Sequence, residues 1–180
     1  MAFIPRPATV EDLPALGNLM DRAIGSLQSA FLSPEQVEAS RAIMGIDTQL
    51  VTDGTYFLVE EAGRIAGCGG WSRRATLYGG DHSKELREPR LLDPATEPAR
   101  VRAMYTDPDF ARQGVGRLIL DLCERAAANE GFAAIELMAT LSGEPLYRAA
   151  GYRVIGPVAD IIDGVTVPLM KMGKSFGQAI

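Results

Sequence analysis

Residues 101–127 read VRAMYTDPDFARQGVGRLILDLCERAA. The first part, rich in β-branched and aromatic side chains, fits a strand over Arg100–Thr106. Asp107-Pro108 stops it, and Arg112-Gln113-Gly114-Val115-Gly116 turns the chain. A helix is predicted over Gly114–Asn129, because Val115, Leu118, Ile119, Leu122, Cys123 and Ala126 recur at the i, i+3, i+4, i+7 spacing of one buried face. Gly131 closes it as a C-cap.

A strand that enters a helix through two glycines has a chemical meaning. The first N–H groups of a helix lack internal partners and sit at its positive dipole end. Glycine lets an anion approach them closely. The turn from Arg112 to Arg117 therefore suits a phosphate or pyrophosphate, with two arginines adding charge. The same turn also serves as an ordinary tight connection, so by itself it leaves both readings open. Two other phosphate motifs are excluded. A dinucleotide fingerprint needs a third glycine where Ile119 stands, and a P-loop ending in Gly173-Lys174-Ser175 needs glycine where Pro168 stands.

Working outward, Phe3–Arg6 reads as a short strand, and Thr9 with Asp12 as a capping-box variant opening a helix through Leu16, Leu19, Met20, Ala23 and Ile24. Pro34 starts a second helix that turns Val37, Ile43 and Met44 inward and stops near Gly45. Tyr56–Glu60 and Ile65–Ser72 form a hairpin about Ala62-Gly63. Residues 73–98 have no clear period and hold three prolines, so they are a functional excursion or a partly mobile stretch. Ala134–Met138 is a strand, Pro145–Ala150 a short helix, and Tyr152–Ile155 with Val165–Met172 a final antiparallel pair. The order gives an α/β (α+β) fold with a mixed central sheet flanked by helices.

At 180 residues the chain fits one domain, 1–180. A net charge of -5 lacks the footprint of a nucleic-acid binder, and Arg73 with Arg74 reads as a solvated strand end. Cys68 and Cys123 fall on apolar patterns, as buried small hydrophobes of a reducing cytoplasm. A lone histidine makes no His-based zinc site, and no metal is expected. Neither a signal peptide nor a run of 18 apolar residues occurs, so no membrane partner is expected.

The run at 101–127, with IELMAT and then EPLYRAAGYRVI, resembles the GNAT superfamily of acyl-CoA-dependent N-acetyltransferases over roughly residues 99–156. The family loop begins with Arg or Gln where this chain has Ala111, but it works mainly through backbone N–H groups, which alanine also supplies. The resemblance implies a pyrophosphate site at Arg112, Gln113, Gly114, Val115, Gly116 and Arg117. It also implies that Met104, Tyr105 and Thr106, on a bulged and splayed strand, offer backbone to the pantetheine of acetyl-CoA.

The activity implied is direct acetyl transfer from acetyl-CoA to the amine of a small molecule or peptide. Tyr147, in Tyr147-Arg148-Ala149-Ala150-Gly151-Tyr152, is the implied proton donor to the leaving thiolate. Glu60, Glu61, Asp81 and His82 are the candidates for a base, with water as the other. A non-catalytic acyl-CoA sensor would keep the loop without needing Tyr147. Closure of sheet edges by a second chain makes a homodimer a further expectation.

Overall fold

A computed structural model describes residues 2–177; Met1 and residues 178–180, the ends of the expected 1–180 unit, lie outside them. In chain order the elements are β1 (Ile4–Pro7), α1 (Leu13–Leu27), α2 (Pro34–Ser40), α3 (Thr48–Thr52), β2 (Tyr56–Glu61), β3 (Arg64–Ser72), β4 (Ala99–Thr106), α4 (Val115–Asn129), β5 (Ala134–Thr140), α5 (Glu144–Ala149), β6 (Arg153–Ile162) and β7 (Val165–Ser175). The strands form one sheet in the order β1-β2-β3-β4-β5-β7-β6. Neighbours are antiparallel except β4 with β5.

Two faces of the sheet build two cores. Leu58, Cys68 and Tyr105 join the side chains of α1, while Val59, Ala66, Val101 and Leu137 join those of α4. Leu58 and Val59, adjacent on β2, thus face opposite sides, as the two-residue period requires, while bulges shift the faces along β3 and β4. On α4 the buried line is Val115, Ile119, Leu120, Cys123 and Ala127. Leu118, Leu122 and Ala126, expected inside, form its half-buried flank. Each fully buried Ile or Leu on that line contributes about 1.5–3 kcal/mol.

Glycines of β3 let α4 and β2 come this close. A Cβ on Gly67 would stand 2.5 Å from Val115 Cγ1, and one on Gly69 would meet Met104 Sδ and Ile119 Cγ2. On Gly70 it would stand 2.6 Å from the Thr55 carbonyl and 2.7 Å from the Tyr56 ring.

The expected second helix is shorter than its pattern. It ends at Ser40 and gives way to a 3-10 turn over Arg41–Ile43. The short α3 follows from a local signal, since the Asp47 side chain accepts the Gln49 N–H at 3.1 Å as an N-cap. The last hairpin is longer than expected on both strands. Its turn is Asp163-Gly164, with φ of +49° and +81°, the left-handed pair that Asp-Gly favours.

Residues 73–98 fold back against the body. Ala75, Thr76 and Leu92 donate backbone hydrogen bonds to Arg90, Glu88 and Arg73, and Lys84–Leu86 forms a 3-10 turn. Arg73 pairs with Glu130 and Arg74 with Asp53, so neither is the solvated charge expected. The anchor is internal. Arg102 of β4, 3% exposed, donates to Asp47 at 2.6 Å and to the carbonyls of Thr76 and Gly79. Arg87 binds the same carboxylate through two 3.0 Å bonds. One carboxylate thus ties α3 and the excursion to the central strand.

Two outcomes follow. Asp47→Asn leaves Arg102 buried without its countercharge and is expected to cost about 3–5 kcal/mol in urea unfolding, whereas Arg90→Gln, at an exposed pair, costs under about 1 kcal/mol. Gly70→Ala, which must move backbone, is expected to cost about 1–3 kcal/mol, while Gly156→Ala, with nothing within 4 Å, stays within about 0.5 kcal/mol.

Candidate functional site

β4 pairs with β5 only at Ala99 and Arg100, and beyond them the two strands part. The gap opens a cavity of about 690 Å³ between α1, the loop before α4, and α5. That volume is in the range of small-molecule sites.

A bulge shapes the β4 wall. Cys68 faces Tyr105 and Gly70 faces Arg102, so Ala103 and Met104 together oppose Gly69. Ala103 has φ of +51°, a left-handed conformation that costs a non-glycine residue about 1–3 kcal/mol. Tyr56 supports it by donating its hydroxyl to the Ala103 carbonyl at 2.7 Å. The missing side chain of Gly70 lets the Tyr56 ring lie there. On the same wall the Tyr105 hydroxyl accepts the Gly45 N–H at 2.9 Å.

The loop entering α4 forms the next wall. Arg112 has φ of +61° and Gly114 of +90°. Among the described residues, four non-glycine residues have positive φ. Ala62 and Asp163 serve hairpin turns; Ala103 and Arg112 line the cavity. The backbone N–H groups from Arg112 to Arg117 donate to no acceptor among the described residues, and the first helical bond at this end runs from Leu118 to Gly114. A Cβ on Gly116 would stand 2.9 Å from Leu146 Cδ2, so glycine lets α5 approach the helix start.

Asp107 holds the loop from behind. Its carboxylate, 5% exposed, accepts Arg22 at 2.9 and 3.1 Å and caps the Pro108–Phe110 turn through the Asp109 N–H. Arg22 and Asp109 are paired in turn, and Arg64 joins them. Asp before Pro, a capping pattern, is the one signal of this cluster in the sequence.

Met104, Tyr105, Thr106, Arg112, Gly114, Val115, Gly116, Arg117 and Tyr147 all line the cavity. Gln113 does not: its side chain turns back to the Asp109 carbonyl at 3.1 Å, leaving only its backbone N–H in the run. Arg117 is occupied by Asp121 at 3.0 Å and reaches the Ala149 carbonyl at 3.4 Å. Tyr147, 7% exposed, packs edge-on to Tyr152. Its hydroxyl makes no hydrogen bond among the described residues, and burial pushes its pKa well above the ordinary tyrosine value.

No candidate base reaches the cavity. Glu60 pairs with Arg6, Asp81 accepts the Thr48 N–H, and His82 contacts the Arg41 carbonyl. Glu61 lies outside the lining as well. These four followed strand ends and loop chemistry, and the register of β2 and the fold of the excursion turn them elsewhere. Among the described residues, no Asp, Glu, His or Lys appears in the lining.

The comparisons with known proteins agree with this geometry. The acetyltransferase (GNAT) domain model matches residues 52–154. A GCN5-related N-acetyltransferase from Rhodopseudomonas palustris shares 20% identity over 98% of this chain and 97% of its own, with a TM-score of 0.72. The PaiA N-acetyltransferase of Thermoplasma acidophilum, solved in complex with coenzyme A, shares 13% over 98% and 100%, with a TM-score of 0.66. The ribosomal-protein-S18-alanine N-acetyltransferase of Escherichia coli shares 18% over 99% and 96%, with a TM-score of 0.59. No curated protein matches the sequence. With the family model spanning more than half of its length and the splayed sheet in place, the chain belongs to the GNAT acetyltransferase family.

Proposed function

We propose that this protein is an N-acetyltransferase that takes its acetyl group from acetyl-CoA and gives it to an amine by direct transfer. One observation carries the reading: the run of unpartnered N–H groups from Arg112 to Arg117 opens into the gap between β4 and β5. A pyrophosphate accepts from such a run at a helix start, and Arg112, exposed beside it, adds charge. Met104–Thr106 has no strand partner on its β5 side, and that free edge suits the amide-bearing pantetheine arm. The donor residues therefore fit the group.

When bound, acetyl-CoA supplies a thioester already activated for attack. The protein's own groups do the rest. A backbone N–H of the bulge near Met104 is the donor for the developing oxyanion, and the Ala103 geometry holds it fixed. Tyr147 gives its proton to the departing sulfur as the carbon–sulfur bond breaks and the carbon–nitrogen bond forms. The surplus proton on nitrogen leaves to water, and water returns a proton to the Tyr147 oxygen, since no carboxylate lines the cavity among the described residues. Burial keeps Tyr147 protonated across the working range. The buried free thiols of Cys68 and Cys123 support a reducing, cytoplasmic setting. Exposed Ile155 and Ile161 on the edge strand β6 support pairing of two chains there.

Release of free CoA thiol, followed with acetyl-CoA and a panel of amines, tests the reading. Tyr147→Phe is expected to keep acetyl-CoA affinity and lose roughly 10²–10⁴ in kcat. Equal turnover in the variant would remove the acid role, and no release by the native protein with any amine would remove the enzyme reading. The pH dependence is a second check. A tyrosine raised by burial keeps its proton past the ordinary value of about 10, so kcat should not fall as pH rises to about 10. Instead the rate should climb with pH as the amine loses its proton.

A further inference from the structure

Packing sets the aim of Tyr147. It lines the cavity, and its hydroxyl makes no hydrogen bond among the described residues, so the direction of the phenol follows the seat of its ring. The helix that carries it, α5, has only six residues. Gly151, with φ of +92°, turns the chain back after that helix, and Tyr152 returns onto Tyr147. The Tyr152 N–H donates to the Tyr147 carbonyl at 3.0 Å, and the two rings meet at 62° with centroids 5.8 Å apart. Such an edge contact is directional.

Tyr152 is fixed in turn from two other elements. Lys174 of β7 places Nζ 5.7 Å from the centroid of its ring, and Glu124 of α4 accepts from that ammonium at 2.8 Å. Two atoms are left over. Glu124 Oε1 and the Tyr152 hydroxyl are both buried without a hydrogen-bond partner among the described residues, and Tyr152 as a whole is 3% exposed. Buried polar atoms of folded proteins are nearly always satisfied. Burial, and then the Glu124 charge, hold the Tyr152 phenol protonated well above the ordinary tyrosine range. It is therefore a donor, and the spare carboxylate oxygen is an acceptor. None of Tyr152, Glu124 and Lys174 lines the cavity.

We infer that Tyr152 is a positioning residue for the transfer: its ring aims Tyr147 at the departing sulfur, its hydroxyl is anchored on Glu124, and Lys174 closes the clamp. The inference rests on the acid role of Tyr147 and names the groups that keep that acid in line. Tyr152 acts only through Tyr147, because it does not reach the cavity. Glu124 lies on α4, so the helix whose start offers the N–H run also steadies the acid. A reacting group displaced by about 1 Å can lose about 10²-fold in rate, which is the scale on which a loosened Tyr147 would be felt.

The test is a double-mutant cycle on kcat, run with acetyl-CoA and the amine of the panel that releases thiol fastest, with CoA affinity followed by calorimetry. Tyr147→Phe is measured first; if it keeps native turnover, the acid reading itself falls before any Tyr152 variant is made. Tyr152→Leu is then made in the native and the Tyr147→Phe backgrounds. In the native background it is expected to lower kcat about 10–100-fold, with KM for acetyl-CoA and CoA affinity within about 2-fold. In the Tyr147→Phe background it is expected to cost less than about 2-fold more, because there is no acid left to aim. Tyr152→Phe, which keeps the ring, should stay within about 5-fold of native kcat. Should Tyr152→Leu fail to fold by circular dichroism, the paired change Glu124→Gln with Lys174→Met replaces it, since it opens the clamp and strands no charge. That pair is expected to lower kcat about 3–10-fold in the native background alone. Native kcat in a folded Tyr152→Leu protein, or in the paired variant where that one stands in, overturns the inference. Equal losses in both backgrounds also overturn it, because the residues then serve the fold and not Tyr147.

Discussion

The site depends on one hydrogen bond across the sheet, from the Tyr56 hydroxyl to the Ala103 carbonyl. Ala103 would otherwise avoid its left-handed backbone, which costs about 1–3 kcal/mol. With the bond made, β4 carries an extra residue opposite Gly69 and leaves β5 after two paired positions. The gap, the aim of the Met104 backbone and the cavity all follow from that departure. The glycines of β3 are part of the same device. Gly70 makes room for the Tyr56 ring, and Gly67 with Gly69 lets α4 lie against the sheet so that its N-terminus opens on the gap.

Around this device the molecule places charge economically. Asp107 steadies the loop from one side through Arg22, and Asp47 steadies the excursion from the other through Arg102 and Arg87. Both carboxylates are buried and fully engaged. Neither lines the cavity, whose charged lining residues among those described are arginines.

Much of this was legible in residues 101–127. The strand, the turn and the helix each carried a local signal: alternation, two glycines, and a 3.6-residue apolar period. The hairpin at Ala62-Gly63 and the final antiparallel pair were legible for the same reason. What escaped depended on contacts distant in sequence. Tyr56 lies 47 positions from Ala103, and Asp47 lies 55 from Arg102. Nothing near either residue marks its partner. The candidate bases failed likewise: Glu60 ends a strand as expected, but pairing with Arg6 takes it from the cavity. Residues 73–98 lack a period because cross-links from Arg74, Arg87 and Arg102 hold them, and such links leave no repeating pattern.

The most direct measurement of the central claim is a crystal structure of the protein with CoA. The pyrophosphate should accept hydrogen bonds from the backbone N–H groups between Arg112 and Arg117, with the pantetheine arm lying along Met104–Thr106 and its sulfur near Tyr147. A pyrophosphate bound elsewhere, or an arm that leaves the gap between β4 and β5 empty, would contradict the account.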